Sequence, residues 1–384
     1  AFLADGGGRF NAGQSYVICG SAAGFAADFD VNTLDGSNGF WIKGAATSDS
    51  SGFSAATVGD FNGDGLADIA LGAPLADPNG QSSGAGYVIY GTATGFPASF
   101  DLANLSASDG FRLSGLNPGD TLARTIAAAG DLNADGFDDL IVTAAQAAGA
   151  AGLSYVVFGA ATGFGTDFDL ASLDGDNGFV LAGSGHENSG SSAAAAGDVN
   201  GDGIDYLIVG AIDSGGIGTS YVLFGVLPDQ AVTRFGILAG QTIQGGDFDD
   251  ALHGLGGGDR LVGHGGGDLL DGGAGADTLD GGLGADTLSG AGGLDTASYA
   301  DAASSVRVDL SIAAAQNTFG AGTDTLVSIE NLTGSAFADT LTGDGKANLL
   351  DGGDGKDRLL GGGGADVLGG GAGADKLTGG AGAD

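Results

Sequence analysis

The sequence predicts an all-β protein in two parts, a partial β-propeller followed by a stack of short strands wound from nine-residue repeats. Three observations predict this. Across 1–225 one pentapeptide recurs, as "YVICG" at Tyr16, "YVIYG" at Tyr87, "YVVFG" at Tyr155 and "YVLFG" at Tyr221, so a long repeat unit is present. From position 243 a strict nine-residue period takes over, with an Asp, in one unit an Asn, at the sixth place. Glycine supplies 82 of 384 residues while 42% of the chain is hydrophobic. A disordered chain would be poor in hydrophobic residues, so this glycine marks turns between buried strands.

Each long period offers four apolar β candidates bounded by Gly, Asp or Pro; in the second they are 68–73, 86–91, 110–115 and 125–130. Four strands per period of this size fit a propeller blade, and propellers close with four to eight blades. About three periods are present, so 1–225 forms a partial propeller with two open sheet edges. Leu3-Ala4-Asp5 matches Leu75-Ala76-Asp77, and the chain has no Met. The expectation is that it opens inside an earlier blade of a longer protein.

Residues 226–242 read as a linker. The first nine-residue array covers 243–298, with Asp250, Asp259, Asp268, Asp277, Asp286 and Asp295 in phase. The stretch 299–333 loses the period and reads as ordinary β structure. A second array, 334–384, carries Asp339, Asn348, Asp357, Asp366, Asp375 and Asp384, and stops within a repeat. In each unit six residues turn and three form a strand, whose Leu points inward, from Leu252 to Leu288 and from Leu341 to Leu377. Two units make one coil, so units i and i+2 stack. Asp250, Asp268 and Asp286 then form one column, and Asp259, Asp277 and Asp295 another.

Charge narrows the partners. The chain has 48 acidic against 11 basic residues, a net charge of -37, and only Glu187 and Glu330 among the acids are Glu. This excludes nucleic acid and anionic membrane and favours cations. No apolar run is long enough to span a membrane, and no signal peptide is visible. The single Cys19 rules out an internal disulfide; it lies on an apolar strand and reads as a core residue. No catalytic constellation is present. "HENSG" at His186 lacks the second His of a zinc-protease helix, "GFSAA" lacks the last Gly of a nucleophile elbow, and His253 and His264 read as surface residues.

The acids that remain have metal-ligand spacing. In "GDFNGDGLAD", Asp60, Asn62, Asp64 and Asp68 stand at places 1, 3, 5 and 9, Gly65 turns the chain, and Leu66 offers its carbonyl. Hard oxygens of this kind suit Ca²⁺. The loop has no Glu at place 12 and no flanking helices, so it is not an EF-hand. It recurs as Asp131, Asn133, Asp135, Phe137 and Asp139, and again as Asp198, Asn200, Asp202 and Ile204. In the third copy Tyr206 takes place 9 and Asp205 sits one step early, so that copy is expected to bind more weakly. An Asx-turn accounts for one such loop; three at matched places favour a cation.

These loops, with Phe158-Gly159, Phe224-Gly225 and Gly72-Ala73-Pro74, resemble the FG-GAP repeats of integrin α-subunit propellers and their bacterial relatives. The resemblance covers about 1–225 and implies calcium beneath the blades and, often, an adhesion platform. The nine-residue unit resembles G-G-x-G-x-D-x-U-x, the RTX (hemolysin-type) repeat of parallel β-rolls, and 295–345 is similar to the C-terminal module of serralysin-type proteases. Ca²⁺ between stacked coils would remove the repulsion within each Asp column. The RTX resemblance implies type I export of an unfolded chain. The expectation is a secreted or cell-surface calcium-binding repeat protein with calcium-dependent folding. Its propeller would be an adhesion platform for an extracellular protein or glycan. The alternative is the non-catalytic part of a secreted RTX enzyme whose catalytic domain lies upstream.

Overall fold

Short apolar runs between Gly- and Asp-rich turns leave the stretch 1–225 little choice but strands. A computed structural model describes the chain except residues 23, 26, 162–163, 185–186, 202, 213–217, 228–230, 237, 239 and 383–384. It contains β1 (Gln14–Ile18), β2 (Gly39–Lys43), β3 (Ser54–Thr57), β4 (Ile69–Ala73), β5 (Ala85–Ile89), β6 (Ser99–Asp101), β7 (Gly110–Ser114), β8 (Ile126–Gly130), β9 (Asp139–Ala144), β10 (Leu153–Val157), β11 (Asp167–Phe168), β12 (Gly178–Ala182), β13 (Ser189–Gly197), β14 (Tyr206–Ala211) and β15 (Thr219–Leu223). Two antiparallel four-stranded blades are complete, β3-β4-β5-β7 and β8-β9-β10-β12. The pair β1-β2 precedes them and β13-β14-β15 follows.

One grouping differs from the sequence reading. The run at 125–130 does not end the second period; as β8 it opens the next blade. The equivalent strand of the second blade is β3, "SAAT", too small and polar to stand out as an apolar run. Cys19, read as a core residue, follows β1 and is exposed.

Packing between blades follows the two-residue period of a strand. Leu140 and Val142 of β9 join Phe111 and Leu113 in one cluster, while Ile141 turns to Leu207 and Val209 in another. Every residue of β9 is therefore buried, and each large side chain contributes about 1.5–3 kcal/mol. The repeated Phe-Asp dipeptide laces blades together. β6 adds to β2 in parallel and β11 adds to β7. Ion pairs Arg9–Asp101 at 2.8 Å and Arg112–Asp167 at 2.6 Å lie on these seams. Asp101 and Asp169 accept the amides of Ala103 and Ala171, capping 3₁₀ turns. These aspartates are structural.

The chain divides into two compact units, Ala1–Leu132 with Phe137–Gly225, and Asn133–Gly136 with Val226–Asp384. In the second, short strands stack in parallel on those two repeat units away, as Arg260–Val262 on Thr278–Asp280 and Ala251–His253 on Leu269–Asp271. Leu252, Leu261, Leu270, Leu279, Leu288, Leu341, Leu350 and Leu359 form its fully buried core. Leu377, expected inside, is exposed.

Two segments depart from their sequence readings. Within the 226–242 linker, Thr233–Phe235 pairs with Ala251–His253 as an edge strand of the solenoid. The 299–333 stretch also joins the stack. Thr323–Val327 pairs with Thr287–Ser289, and Asn331–Thr333 lies between Thr296–Ser298 and Leu349–Asp351. One seven-stranded sheet thus runs through both arrays. The two arrays are a single solenoid with an insert that shifts the phase.

Candidate calcium sites

The solenoid turns place the repeat aspartates in ladders. The Asp250 amide donates to Asp268 Oδ1 at 2.8 Å, and the Asp268 amide to Asp286 Oδ1 at 2.9 Å. In the second ladder, Asp259 donates to Asp277 at 2.8 Å and Asp277 to Asp295 at 2.9 Å. In the later coils Asp339 donates to Asp357, Asp357 to Asp375, and Asn348 to Asp366. Asp384 lies outside the described residues.

Each carboxylate uses one oxygen on this ladder. The other, Oδ2, is buried without a hydrogen-bond partner in Asp259, Asp268, Asp277, Asp286, Asp295 and Asp357. An ionised oxygen so placed is strongly unfavourable alone. Its surroundings are those of a cation site. A Cβ on Gly263 would collide with both Asp268 Oδ2 and the Gly281 carbonyl oxygen of the next coil, and one on Gly254 with Asp259 Oδ2 and the Gly272 carbonyl oxygen. Glycine therefore keeps open the space on which carboxylate and carbonyl oxygens converge. Among the described residues no three His, Cys, Asp or Glu side chains gather for a metal. A cation here must take backbone carbonyls as well, which suits Ca²⁺ with its six to eight oxygens. Burial pushes the carboxyls of Asp268 and Asp286 up to about 7 and that of Asp259 to about 6.

The ladders hold two members that period-counting missed. The Asp286 amide donates to Asp324 Oδ1 at 3.4 Å, and the Asp295 amide to Glu330 Oε2 at 3.2 Å. Asn348 Nδ2 donates to the Glu330 carbonyl at 2.8 Å, so Glu330 links the two arrays. "GTDTL" around Asp324 repeats the "GADTL" of Asp286; that match was the available signal.

The propeller loops join first to second strand in each blade. Asp60 Oδ1 and Asn62 Oδ1 both accept the Asp64 amide, at 3.0 and 3.1 Å, so their oxygens converge. Asp64 Oδ1 accepts the Leu66 amide at 2.9 Å. Asp68 lies beneath, fully buried, and accepts the amides of Phe61, Asn62 and Gly91 at 3.1, 3.3 and 2.7 Å. Burial outweighs these amides and holds its carboxyl up at about 7. Asp139 does the same for Leu132 and Gly159, and Asp135 accepts from Asn133 Nδ2. Phe137 and Ile204 bury their side chains beneath the second and third loops. In this structure place 9 staples the loop to its blade, while places 1, 3 and 5 face one another above it. Asp68→Ala strands these amides and is expected to cost the first unit about 3 kcal/mol, measured by urea unfolding; an unchanged midpoint would show that the staple is idle.

The third loop lacks the staple. Tyr206 is buried at place 9, with its ring 4.8 Å from that of Phe224. Asp198 accepts the Gly201 and Gly203 amides at 2.6 and 2.9 Å; Asn200 is described and Asp202 is not. Asp205 is no displaced ligand. Its Oδ2 accepts the Asp131 amide at 3.2 Å, as Asp138 Oδ2 accepts the Asp60 amide at 2.8 Å. In the second and third loops place 8 thus ties the loop to the preceding one, close enough that a Cβ on Gly59 or Gly130 would collide with it. Of the histidines, His186 lies outside the described residues. His253 and His264 are not surface groups; the first stacks on Phe235 with rings 4.8 Å apart, and the second is half-buried beside Gln244.

Family models match both halves of the chain. The FG-GAP repeat matches residues 51–89 and 123–157, and the RTX calcium-binding nonapeptide repeat matches 236–270, 262–297, 333–368 and 362–384. The chain carries FG-GAP and RTX calcium-binding repeats. It is a calcium-binding repeat protein, and the orphaned Oδ2 atoms of its RTX ladders fit that ion. When bound, Ca²⁺ would supply the positive charge that Asp268, Asp286 and their neighbours lack. A curated relative, phosphatidylinositol-glycan-specific phospholipase D of Mus musculus, is 35% identical over 145 residues, 37% of this chain. The match spans 15% of that relative's length. Among the described residues no helix is long and apolar enough to cross a membrane.

Proposed function

We propose that this is a secreted or cell-surface protein whose RTX solenoid folds on meeting external calcium and whose FG-GAP unit is an adhesion or ligand-binding platform. The observation that carries the platform is a cavity of about 350 Å³ where β3, β8 and β13 begin, the ends of those strands opposite the calcium loops. Phe53, Arg124 and Gln146 line it together with Asn188 and Ile212. The Arg124 guanidinium lies over the Phe53 ring at 5.4 Å and makes no ion pair among the described residues. A stacked, unpaired arginine in a chain of net charge -37 suits a carboxylate-bearing protein or glycan ligand.

The test is binding of the purified chain to extracellular-protein and glycan arrays in calcium and in chelator. Calcium-dependent binding that Arg124→Ala lowers roughly tenfold is the expected result. Binding to nothing on either array, or binding indifferent to Arg124, would remove the platform. The named relative favours a second reading, in which these repeats accompany a hydrolase. Phospholipase activity in the full-length polypeptide would support it.

A further inference from the structure

The insert that breaks the nonapeptide phase changes what the ladder acids face. Inside the first array, Asp268, Asp277, Asp286 and Asp295 each keep one buried oxygen without a hydrogen-bond partner. Asp324 follows Asp286 in its column and is as deeply buried, at 1% exposure. Both of its oxygens have partners. Oδ1 accepts the Asp286 amide at 3.4 Å, a longer step than the 2.8 and 2.9 Å of the two rungs before it. Oδ2 accepts the Thr318 hydroxyl at 2.9 Å and the Tyr299 hydroxyl at 3.2 Å. Thr318 and Tyr299 are themselves buried. Among the described residues no further coil stacks on Thr323–Val327; the short strand Gln316–Asn317 turns back on it antiparallel and ends the sheet. The next-coil carbonyl oxygen that converges with Asp268 Oδ2, from Gly281, has no counterpart beyond Asp324.

The second column passes the insert through Glu330 and Asn348. Glu330 Oε2 accepts the Asp295 amide at 3.2 Å, and Oε1 lies 3.6 Å from Lys346 Nζ. The Asn348 turn keeps the frame of the other sites. A Cβ on Gly343 would collide with Asn348 Oδ1 and the Gly361 carbonyl oxygen, as one on Gly263 would with Asp268 Oδ2 and the Gly281 carbonyl oxygen. The side chain is what differs. Asn348 Oδ1 accepts the Asp344 amide at 2.9 Å, and Nδ2 donates to the Glu330 carbonyl at 2.8 Å. A donor group thus stands where the aspartates present an anionic oxygen, and the chain's own ammonium lies beside the acid of the preceding coil. Ca²⁺ takes about six to eight oxygens, carboxylates and carbonyls among them. At these three residues the oxygens already face hydrogens or a fixed positive charge.

We propose that the calcium columns are interrupted at the insert: Asp324, Glu330 and Asn348 hold no ion, and the Thr318 and Tyr299 hydroxyls, the Lys346 ammonium and the Asn348 amide stand in its place. The inference rests on the RTX ladders and does not depend on the adhesion reading. Urea unfolding of the full chain at a series of calcium concentrations tests it. The slope of unfolding free energy against the logarithm of calcium concentration counts the ions taken up on folding. Ions held by the first unit are common to every variant and drop out of the comparison. Asp286→Asn and Asp357→Asn should each lower the slope by about one ion. Asp324→Asn, whose remaining carbonyl oxygen can still accept both hydroxyls, should leave the slope at the parent's value. Asn348→Asp, which puts a carboxylate into an intact frame, should raise it by about one ion. A fall in Asp324→Asn equal to that in Asp286→Asn overturns the proposal. So does a slope in Asn348→Asp no higher than the parent's, a result read without reference to whether Asp324→Asn folds.

Discussion

Chelation of calcium is expected to unfold the second unit. In millimolar Ca²⁺ the full chain should give the circular dichroism of a β protein, and in chelator the solenoid's share of that signal should be lost. The argument starts from Oδ2 of Asp259, Asp268, Asp277, Asp286, Asp295 and Asp357, buried with no hydrogen-bond partner. Extracellular modules bind Ca²⁺ with Kd of about 10⁻⁴–10⁻³ M. At about ten times Kd each site would contribute roughly 1.4 kcal/mol, so about eight sites, about four in each nonapeptide array between stacked coils, would contribute on the order of 11 kcal/mol together. That is the size of a whole domain's stability, about 5–15 kcal/mol. The narrow Leu core from Leu252 to Leu359, contributed in turn by different sheets of the stack, must offset the ordering of a glycine-rich chain, and without the cation it is too thin to do so. Magnesium should not substitute, because it demands a tighter octahedral shell. A β signal equal in chelator and in calcium would mean that the solenoid stands without the ion.

Much of this arrangement was legible because the repeats state it many times. The nine-residue phase alone gave the stacking of units i and i+2, the inward Leu row, and the columns of Asp250, Asp268 and Asp286. What it could not give was anything that depends on a phase break. Asp324 and Glu330 continue the ladders but fall out of phase with Asp295, so counting by nine passes over them. Thr233–Phe235 was lost for the opposite reason: an edge strand of a solenoid needs no glycine turn on its open side and reads as a linker. In the propeller, spacing found the loops but not the direction of each carboxylate. Asp68 and Asp60 have the same chemistry in sequence, yet one is turned under the loop to three amides and the other faces Asn62. Asp205 looked like a ligand shifted by one residue. Only the pairing with the Asp131 amide shows it to be a tie between blades.

Acid is expected to replace calcium in part. Burial raises the carboxyls of Asp268 and Asp286 to about 7 and of Asp259 to about 6, from an ordinary value of 3.8. A carboxyl raised on folding binds its proton more tightly in the folded chain than in the unfolded one. The stability it confers is complete below about pH 4 and is lost as the pH rises through 6 to 7. In chelator, lowering the pH from about 8 to about 5 should therefore restore solenoid β structure. Asp268 and Asp286 together would contribute on the order of 5 kcal/mol over that range. In calcium the sign reverses. Protons and Ca²⁺ compete for the same Oδ2 atoms, so the calcium concentration needed for half-folding should rise as the pH falls. Ordinary acid denaturation has neither signature, because carboxylates paired in a native fold lose stability on protonation. Circular dichroism against pH, run in chelator and in calcium, separates the cases. If the chelated chain is as unfolded at pH 5 as at pH 8, the ladder carboxylates are not what holds the calcium-free solenoid open.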